Sequence, residues 1–149
     1  MLVKTKAYGL IDVDERQKIT FDQGLFGFEP HKEFVLLDAE RPPFYWLQAM
    51  DDEDVAFVLL NPFQFRPDYA VDVDNEELLE IGITDPKKAL IFTVITIPKD
   101  GSPMTANLLG PLVINRDTRQ GRQVILPDPG WKTKHDVLGE LQLRRDSSC

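Results

Sequence analysis

Two short β-branched runs near the carboxyl end set the strongest limit on what this chain can fold into. Leu112-Val113-Ile114 and Val124-Ile125-Leu126 are separated by a polar link, Arg116 to Arg122, that carries Gly121. Runs of this length and composition suit strands and are too short for helices. A polar, Gly-bearing link between them predicts a hairpin with an exposed basic loop. Just upstream, Thr105-Ala106-Asn107-Leu108-Leu109 leads into the turn signal Gly110-Pro111. Asn107 is the odd residue, because a carboxamide among Ala106, Leu108 and Leu109 needs hydrogen-bond partners if it is buried. Two readings are open. Its amide can pin the backbone before the Gly110-Pro111 turn, or it can present a polar group at a recognition surface.

The same pattern recurs along the chain. Leu2 to Ala7, Gly9 to Val13, Lys18 to Phe21, Phe34 to Leu37, Tyr45 to Gln48, Val55 to Leu60 and Ala89 to Ile97 read as strands. The last is the strongest, with Thr93 and Thr96 inside a β-branched run. Breaks at Asp14-Glu15-Arg16, Pro42-Pro43, Asp51 to Asp54, Asn61-Pro62-Phe63 and Pro127 to Gly130 punctuate them. Gly24-Leu25-Phe26-Gly27-Phe28-Glu29-Pro30 predicts a loop anchored to the core by Leu25, Phe26 and Phe28. Phe65 to Tyr69 is expected to be extended. One short helix is predicted: Asp72 or Asp74 caps it, Asn75-Glu76-Glu77 opens it, Gly82 closes it, and Leu78, Leu79 and Ile81 face inward. About ten short strands, one small helix and no βαβ spacing predict an all-β fold. The expected form is a small closed or partly open antiparallel β-barrel with one short helix. Residues 1–138 are expected to form a single domain and 139–149 a flexible tail.

Charge distribution says more about function than total charge. Residues 51–85 hold eleven acids and one base, Arg66, a net of −10 against −8 for all 149 residues. Residues 101–149 hold seven bases and five acids. An acidic middle disfavours nucleic acid, because phosphate contact needs a basic footprint. It fits either a basic partner or a solvated face that maintains solubility. The one cysteine, Cys149, cannot form an internal disulfide. No apolar run near Met1 resembles a signal peptide, and the longest apolar run, Val55 to Leu60, falls far short of the ~20 residues that span a bilayer. A cytoplasmic location is expected.

Catalytic signals are missing from the sequence. His31 and His135 lack metal-ligand spacing, and Asp51 to Asp54 lacks the alternation, Gly and distal Glu of a calcium loop. There is no phosphate-cradling loop and no nucleophile elbow. No catalytic, cofactor or metal residue is predicted; a binding protein is.

The stretch from residue 105 also carries a family resemblance. Thr105-Ala106-Asn107-Leu108, Pro111-Leu112-Val113-Ile114-Asn115 and Gly121-Arg122-Gln123-Val124-Ile125-Leu126 together resemble the flagellar assembly factor FliW family. Gly24-Leu25-Phe26-Gly27-Phe28, Phe44-Tyr45-Trp46-Leu47-Gln48, Ala56-Phe57-Val58, Asn61-Pro62-Phe63 and Tyr69 extend it over roughly residues 1–137. Ala49, Trp131 and Lys134-His135 depart from the family's usual Ser, Tyr and Arg-His. The resemblance implies two partners, flagellin and the small basic translational repressor CsrA, with no direct nucleic acid and no membrane. It further implies that CsrA is antagonised once flagellin is exported, so that flagellin is translated. The alternative is a dedicated flagellin-binding chaperone without a regulatory partner. Asn61-Pro62-Phe63 and Asn107-Leu108 each set a carboxamide beside apolar residues at a strand end, and strand ends gather at barrel rims. The expected partner-binding residues are therefore Asn61, Pro62, Phe63, Tyr69, Asn107, Leu108 and Pro111, with Asp72, Asp74 and Glu76 as the acidic side.

Overall fold

The computed structural model describes residues 1–141. Its strands, in chain order, are β1 (Leu2–Thr5), β2 (Gly9–Asp12), β3 (Lys18–Thr20), β4 (Glu33–Asp38), β5 (Tyr45–Ala49), β6 (Ala56–Leu60), β7 (Ala89–Thr96), β8 (Thr105–Ala106), β9 (Leu112–Asn115), β10 (Gly121–Gln123) and β11 (His135–Asp136). One α-helix, α1 (Asn75–Glu80), lies between β6 and β7. The chain turns helical again over 137–141, and the rest of the expected tail, Cys149 included, lies outside the described residues.

β1 and β2 form a separate hairpin. The others build one antiparallel sheet in the order β10-β9-β7-β6-β5-β4-β3, with β8 on β7 and β11 on β8. The sheet curls until its two end strands meet. They touch at one isolated bridge, Thr20 to Gln120, where the Thr20 amide donates to the Arg119 carbonyl at 3.0 Å. A closed barrel is therefore not formed; the fold is the partly open form. The approach depends on Gly121, where a Cβ would lie 2.6 Å from the Phe21 ring.

Both faces of the sheet are covered. Ile19, Phe34, Leu47, Leu59, Phe92, Leu112 and Ile114 come from β3, β4, β5, β6, β7 and β9 and converge on one inner cluster. On the outer face, Leu60, Ile95, Ala106 and Val113 pack with Phe65, Tyr69, Ile81, Val124 and Trp131 from the connecting segments. The β1–β2 hairpin covers another part of that face through Val3, Val13, Val35 and Leu37. This explains the unbroken apolar run of β9: Leu112 and Ile114 point inward, Val113 outward, and all are buried.

Several local expectations are corrected. The hairpin after β9 forms, but its second strand is Gly121–Gln123, not Val124 to Leu126. The link tightens because Asn115 Oδ1 accepts the amides of Asp117 (2.9 Å) and Thr118 (3.2 Å), and Arg119 takes φ 64°. Val124 and Leu126 still donate to Pro111 and Leu109 carbonyls, at 3.1 and 2.9 Å. Phe65 to Tyr69 is not extended, since the 3-10 turn Pro62–Gln64, capped by Asn61, runs into further turns. Asp74 caps α1, and Gly82 closes it at φ +75°. Leu79 faces solvent at 58% exposure, because six residues allow only one inward stripe, taken by Leu78 and Ile81. Leu25 anchors the loop from the core; Phe28, 39% exposed, packs edge-on against Phe57, and Phe26, at 55% exposure, anchors nothing.

Replacing Gly121 by Val should lower unfolding free energy by about 2 kcal/mol or more, because the added atoms meet the Phe21 ring. Gly24→Val should do the same: φ is +69°, and a Cβ would sit 2.5 Å from Glu29 Cα. Gly27, at φ +85° with open space around it, should cost only about 1 kcal/mol. Urea denaturation of the three variants checks this order, and equal losses at Gly24 and Gly27 would contradict it.

Candidate partner-binding site

The segment between β8 and β9 runs beside a single edge of β7. Along that edge Ala89 to Phe92 pair with β9, and Ile95 and Thr96 pair with β8. Asn107 to Pro111 bulge out between the two ladders. The Val94 carbonyl accepts the Asn107 amide at 3.0 Å, and the Thr93 hydroxyl donates to the Asn107 carbonyl at 2.6 Å. Asn107 Oδ1 accepts the Gly110 amide at 2.9 Å. Of the two readings of Asn107, its carboxamide makes the backbone-pinning contact. The Lys132 carbonyl accepts both Leu108 and Leu109 amides, at 3.0 and 3.1 Å. Gln123 Nε2 donates to the Gly110 carbonyl at 2.9 Å, while its Oε1 accepts the Phe26 amide at 2.9 Å.

Tyr69 joins this bulge to the Asn61-Pro62-Phe63 turn. Its hydroxyl donates to the Leu108 carbonyl at 2.5 Å, and its ring lies 6.0 Å from that of Phe63. Burial pushes the Tyr69 phenol above its ordinary range, so it remains a donor. Asn61 Oδ1 accepts the Phe63 amide at 2.9 Å, which holds the 3-10 turn and leaves the Phe63 ring 40% exposed. On the other side Tyr69 meets Trp131 edge-on at 4.7 Å, and the Arg66 guanidinium lies 4.9 Å from the Trp131 ring centre. Arg66 is paired with Asp68 and Glu140, and Glu140 also reaches His135 Nδ1 at 3.2 Å. His135 Nε2 accepts the Lys132 amide at 2.8 Å, so the neutral ring carries its proton on Nδ1.

Asp72, Asp74 and Glu76 stand exposed on the segment that follows Tyr69. Asp74 Oδ1 faces the Glu76 amide at 3.4 Å as the helix cap. Glu77 and Glu80 both engage Arg122. The ten expected residues thus divide by burial. Phe63, Asp72, Asp74 and Glu76 are accessible; Asn61 and Asn107 are half-buried; Pro62, Tyr69, Leu108 and Pro111 are buried. The two motifs do meet, through Tyr69. The accessible apolar side chains Phe26 and Ile125 were missed. So was the cluster of Arg66, Trp131, His135 and Glu140, which joins segments far apart in sequence and carries no local spacing signal. Among the described residues no helix is long and apolar enough to cross a membrane, and no group of three or more His, Cys, Asp or Glu is placed to hold a metal ion.

Comparison with known proteins places this geometry in a family. The profile of the family described as FliW protein matches residues 2–137. The flagellar assembly factor FliW of Treponema denticola is 47% identical over 141 residues, covering 95% of this chain and 96% of that protein. That of Treponema pallidum is 43% identical over 145 residues, 97% of each. A crystal structure of the flagellar assembly factor FliW superposes with a TM-score of 0.85 at 37% identity, covering 92% of this chain and 96% of that one.

Removing the Asn107 carboxamide leaves the Gly110 amide short of a partner, so Asn107→Ala should lower unfolding free energy by about 1–2 kcal/mol. Tyr69→Phe should cost a similar ~1–2 kcal/mol by orphaning the buried Leu108 carbonyl. Phe63→Ala, at an exposed ring, should change stability by less than about 1 kcal/mol. Thermal melts of the three variants give the comparison; a Phe63→Ala melt as low as that of Tyr69→Phe would show that the Phe63 ring is structural.

Proposed function

This chain belongs to the FliW family of flagellar assembly factors, and on that premise we propose that it is a cytoplasmic, non-catalytic regulator that binds flagellin and the translational repressor CsrA. While flagellin is abundant inside the cell, it occupies the protein. Once flagellin leaves by export, the freed protein captures CsrA, and flagellin translation resumes.

The observation that carries this reading is that segment 61–76 exposes the Phe63 ring together with Asp72, Asp74 and Glu76. An apolar contact beside acids that form no ion pair among the described residues suits a basic partner: the aromatic supplies contact energy, and the acids supply attraction at range. In a complex, the same acids would stand near an RNA-binding surface and raise the cost of bringing phosphate there. The residues expected to touch partner are therefore Phe63, Asp72, Asp74 and Glu76. Asn61, Pro62, Tyr69, Asn107, Leu108 and Pro111 support them from beneath.

Pull-down with purified CsrA and, separately, with purified flagellin tests the reading. Capture of both is expected; capture of flagellin alone would leave a dedicated chaperone without a regulatory partner. CsrA affinity should fall as salt rises, because exposed charges are screened within ~8 Å at physiological ionic strength. The triple variant Asp72→Lys, Asp74→Asn, Glu76→Lys reverses the charge at 72 and 76 and removes it at 74, where Asn keeps the helix cap. It should slow association much more than it speeds dissociation. An affinity that stays flat across salt would remove the acidic segment from the mechanism.

A further inference from the structure

The basic turn between β9 and β10 carries cations that segment 61–76 leaves unused. Arg116 and Arg119 stand on it, and the Arg116 amide donates to the Lys88 carbonyl at 2.8 Å. That bond ties the turn to a second one, the 3-10 turn Pro86–Lys88. Lys87, Lys88 and Arg116 are exposed, and Arg119 is half-buried. Lys88 is held by Asp117 at 3.5 Å. Lys87, Arg116 and Arg119 form no ion pair among the described residues.

The backbone of Arg119 is a separate observation. Among the described residues it is the one non-glycine residue with a positive φ, 64°. That conformation favours Gly or Asn, and a long side chain there is strained. Arg119 serves the fold through its amide, which donates to the Asn115 carbonyl at 2.9 Å, and its carbonyl, which accepts the Thr20 amide. A glycine would make both bonds. A cation held at a strained position, with no ion pair to reward it, points to a role outside the fold.

Chemistry at the two turns selects the occupant. Lys87, Lys88, Arg116 and Arg119 stand against Asp85 and Asp117, a net of +2 in a chain of −8. On β3, which meets the turn at Thr20, Lys18 is paired with Glu33 at 2.8 Å. In the turn before β3, Arg16 faces Asp14, and Glu15 is the remaining acid. The backbone amides are all committed. Asp117 and Thr118 donate to Asn115 Oδ1, Gln120 to Thr118 Oγ1, Lys87 to Asp85 Oδ1, and Lys88 to the Asp85 carbonyl. Pro86 has none, so no N–H is left to cradle a phosphate. Two guanidinium forks and an ammonium remain, and these suit carboxylates.

We propose that Lys87, Arg116 and Arg119 form a docking surface for an acidic peptide segment of a protein partner. The surface shares no residue with segment 61–76 and does not depend on the reading given for that segment.

The test titrates the isotope-labelled full chain with hexaglutamate at low salt, follows the amide resonances, and records thermal melts of each variant. Shifts should gather over residues 85–89 and 115–120 and saturate. Arg119→Gly should melt at or above the parent and bind hexaglutamate about threefold or more weakly. The double variant Lys87→Gln, Arg116→Gln should lose affinity by a similar factor, while Lys99→Gln, at an exposed cation elsewhere, should bind like the parent. Should Arg119→Gly melt lower, the double variant decides alone. Parent-like affinity in Arg119→Gly overturns the part given to Arg119, and in the double variant it overturns the surface. An absence of shifts at the two turns overturns it as well. So does an equal response to a single-stranded RNA hexamer or to inorganic phosphate, which would assign the turns to phosphate instead of carboxylate.

Discussion

The sheet depends on how β7 divides one of its edges between two partners. β9 takes the first half of that edge and β8 the second, while β6 holds the other edge. The five residues between the two ladders must leave the sheet and return without stranding backbone groups. Thr93 makes this possible: it is fully buried, and its hydroxyl reaches the Asn107 carbonyl where no strand partner is available. A buried hydroxyl left unpaired costs about 1–3 kcal/mol, so this single contact turns a liability into a joint. Tyr69, Lys132, Gln123 and Gly110 then attach to the same bulge, and through them the outer segments acquire fixed positions.

That arrangement also explains why a chain of this size carries two clusters on opposite faces of one sheet. The inner cluster fills the curled sheet with Phe21, Phe34 and Phe92. The outer cluster forms under connecting segments that cross the sheet, which is why turns and 3-10 segments contribute Phe65, Tyr69 and Trp131. The hairpin at the amino end covers only its own part of that face. Between the two covers lies a groove of about 590 Å³ lined by residues that include Tyr8, Phe44, Trp46, Val58, Ile97 and Met104.

Much of this was legible where the signal is local. β7 and β9 follow from β-branched runs, and α1 from an Asx cap and a closing glycine, since these features act within a few residues. The family was legible from motifs whose order spans nearly the whole chain. What was hidden depends on contacts far apart in sequence. Nothing near Phe26 says it faces water; its loop is held by Gln123, across the sheet. β10 begins at Gly121, ahead of the apolar run Val124 to Leu126, because Asn115 tightens the preceding turn through its side chain. Leu79 was placed inward because three apolar residues in a six-residue helix look like one face, although the stripe holds only two. Asn107 looked like a surface amide or a local pin, and only the position of the Gly110 amide separates the two.

The seam where Thr20 meets Gln120 has a consequence for synthesis on the ribosome. The residues that meet there stand 100 positions apart, Thr20 and Gln120, so curling cannot finish until residues beyond Gln120 have emerged. Until then β3, β4, β5 and β6 can form a meander whose inner aromatics and β7-facing edge lie open. Contacts this distant are formed late and slowly, and an unpaired edge in the meantime invites pairing with other nascent chains. A glycine at position 121 therefore matters to the last step of all: any side chain there would meet the Phe21 ring just where the sheet has to seal.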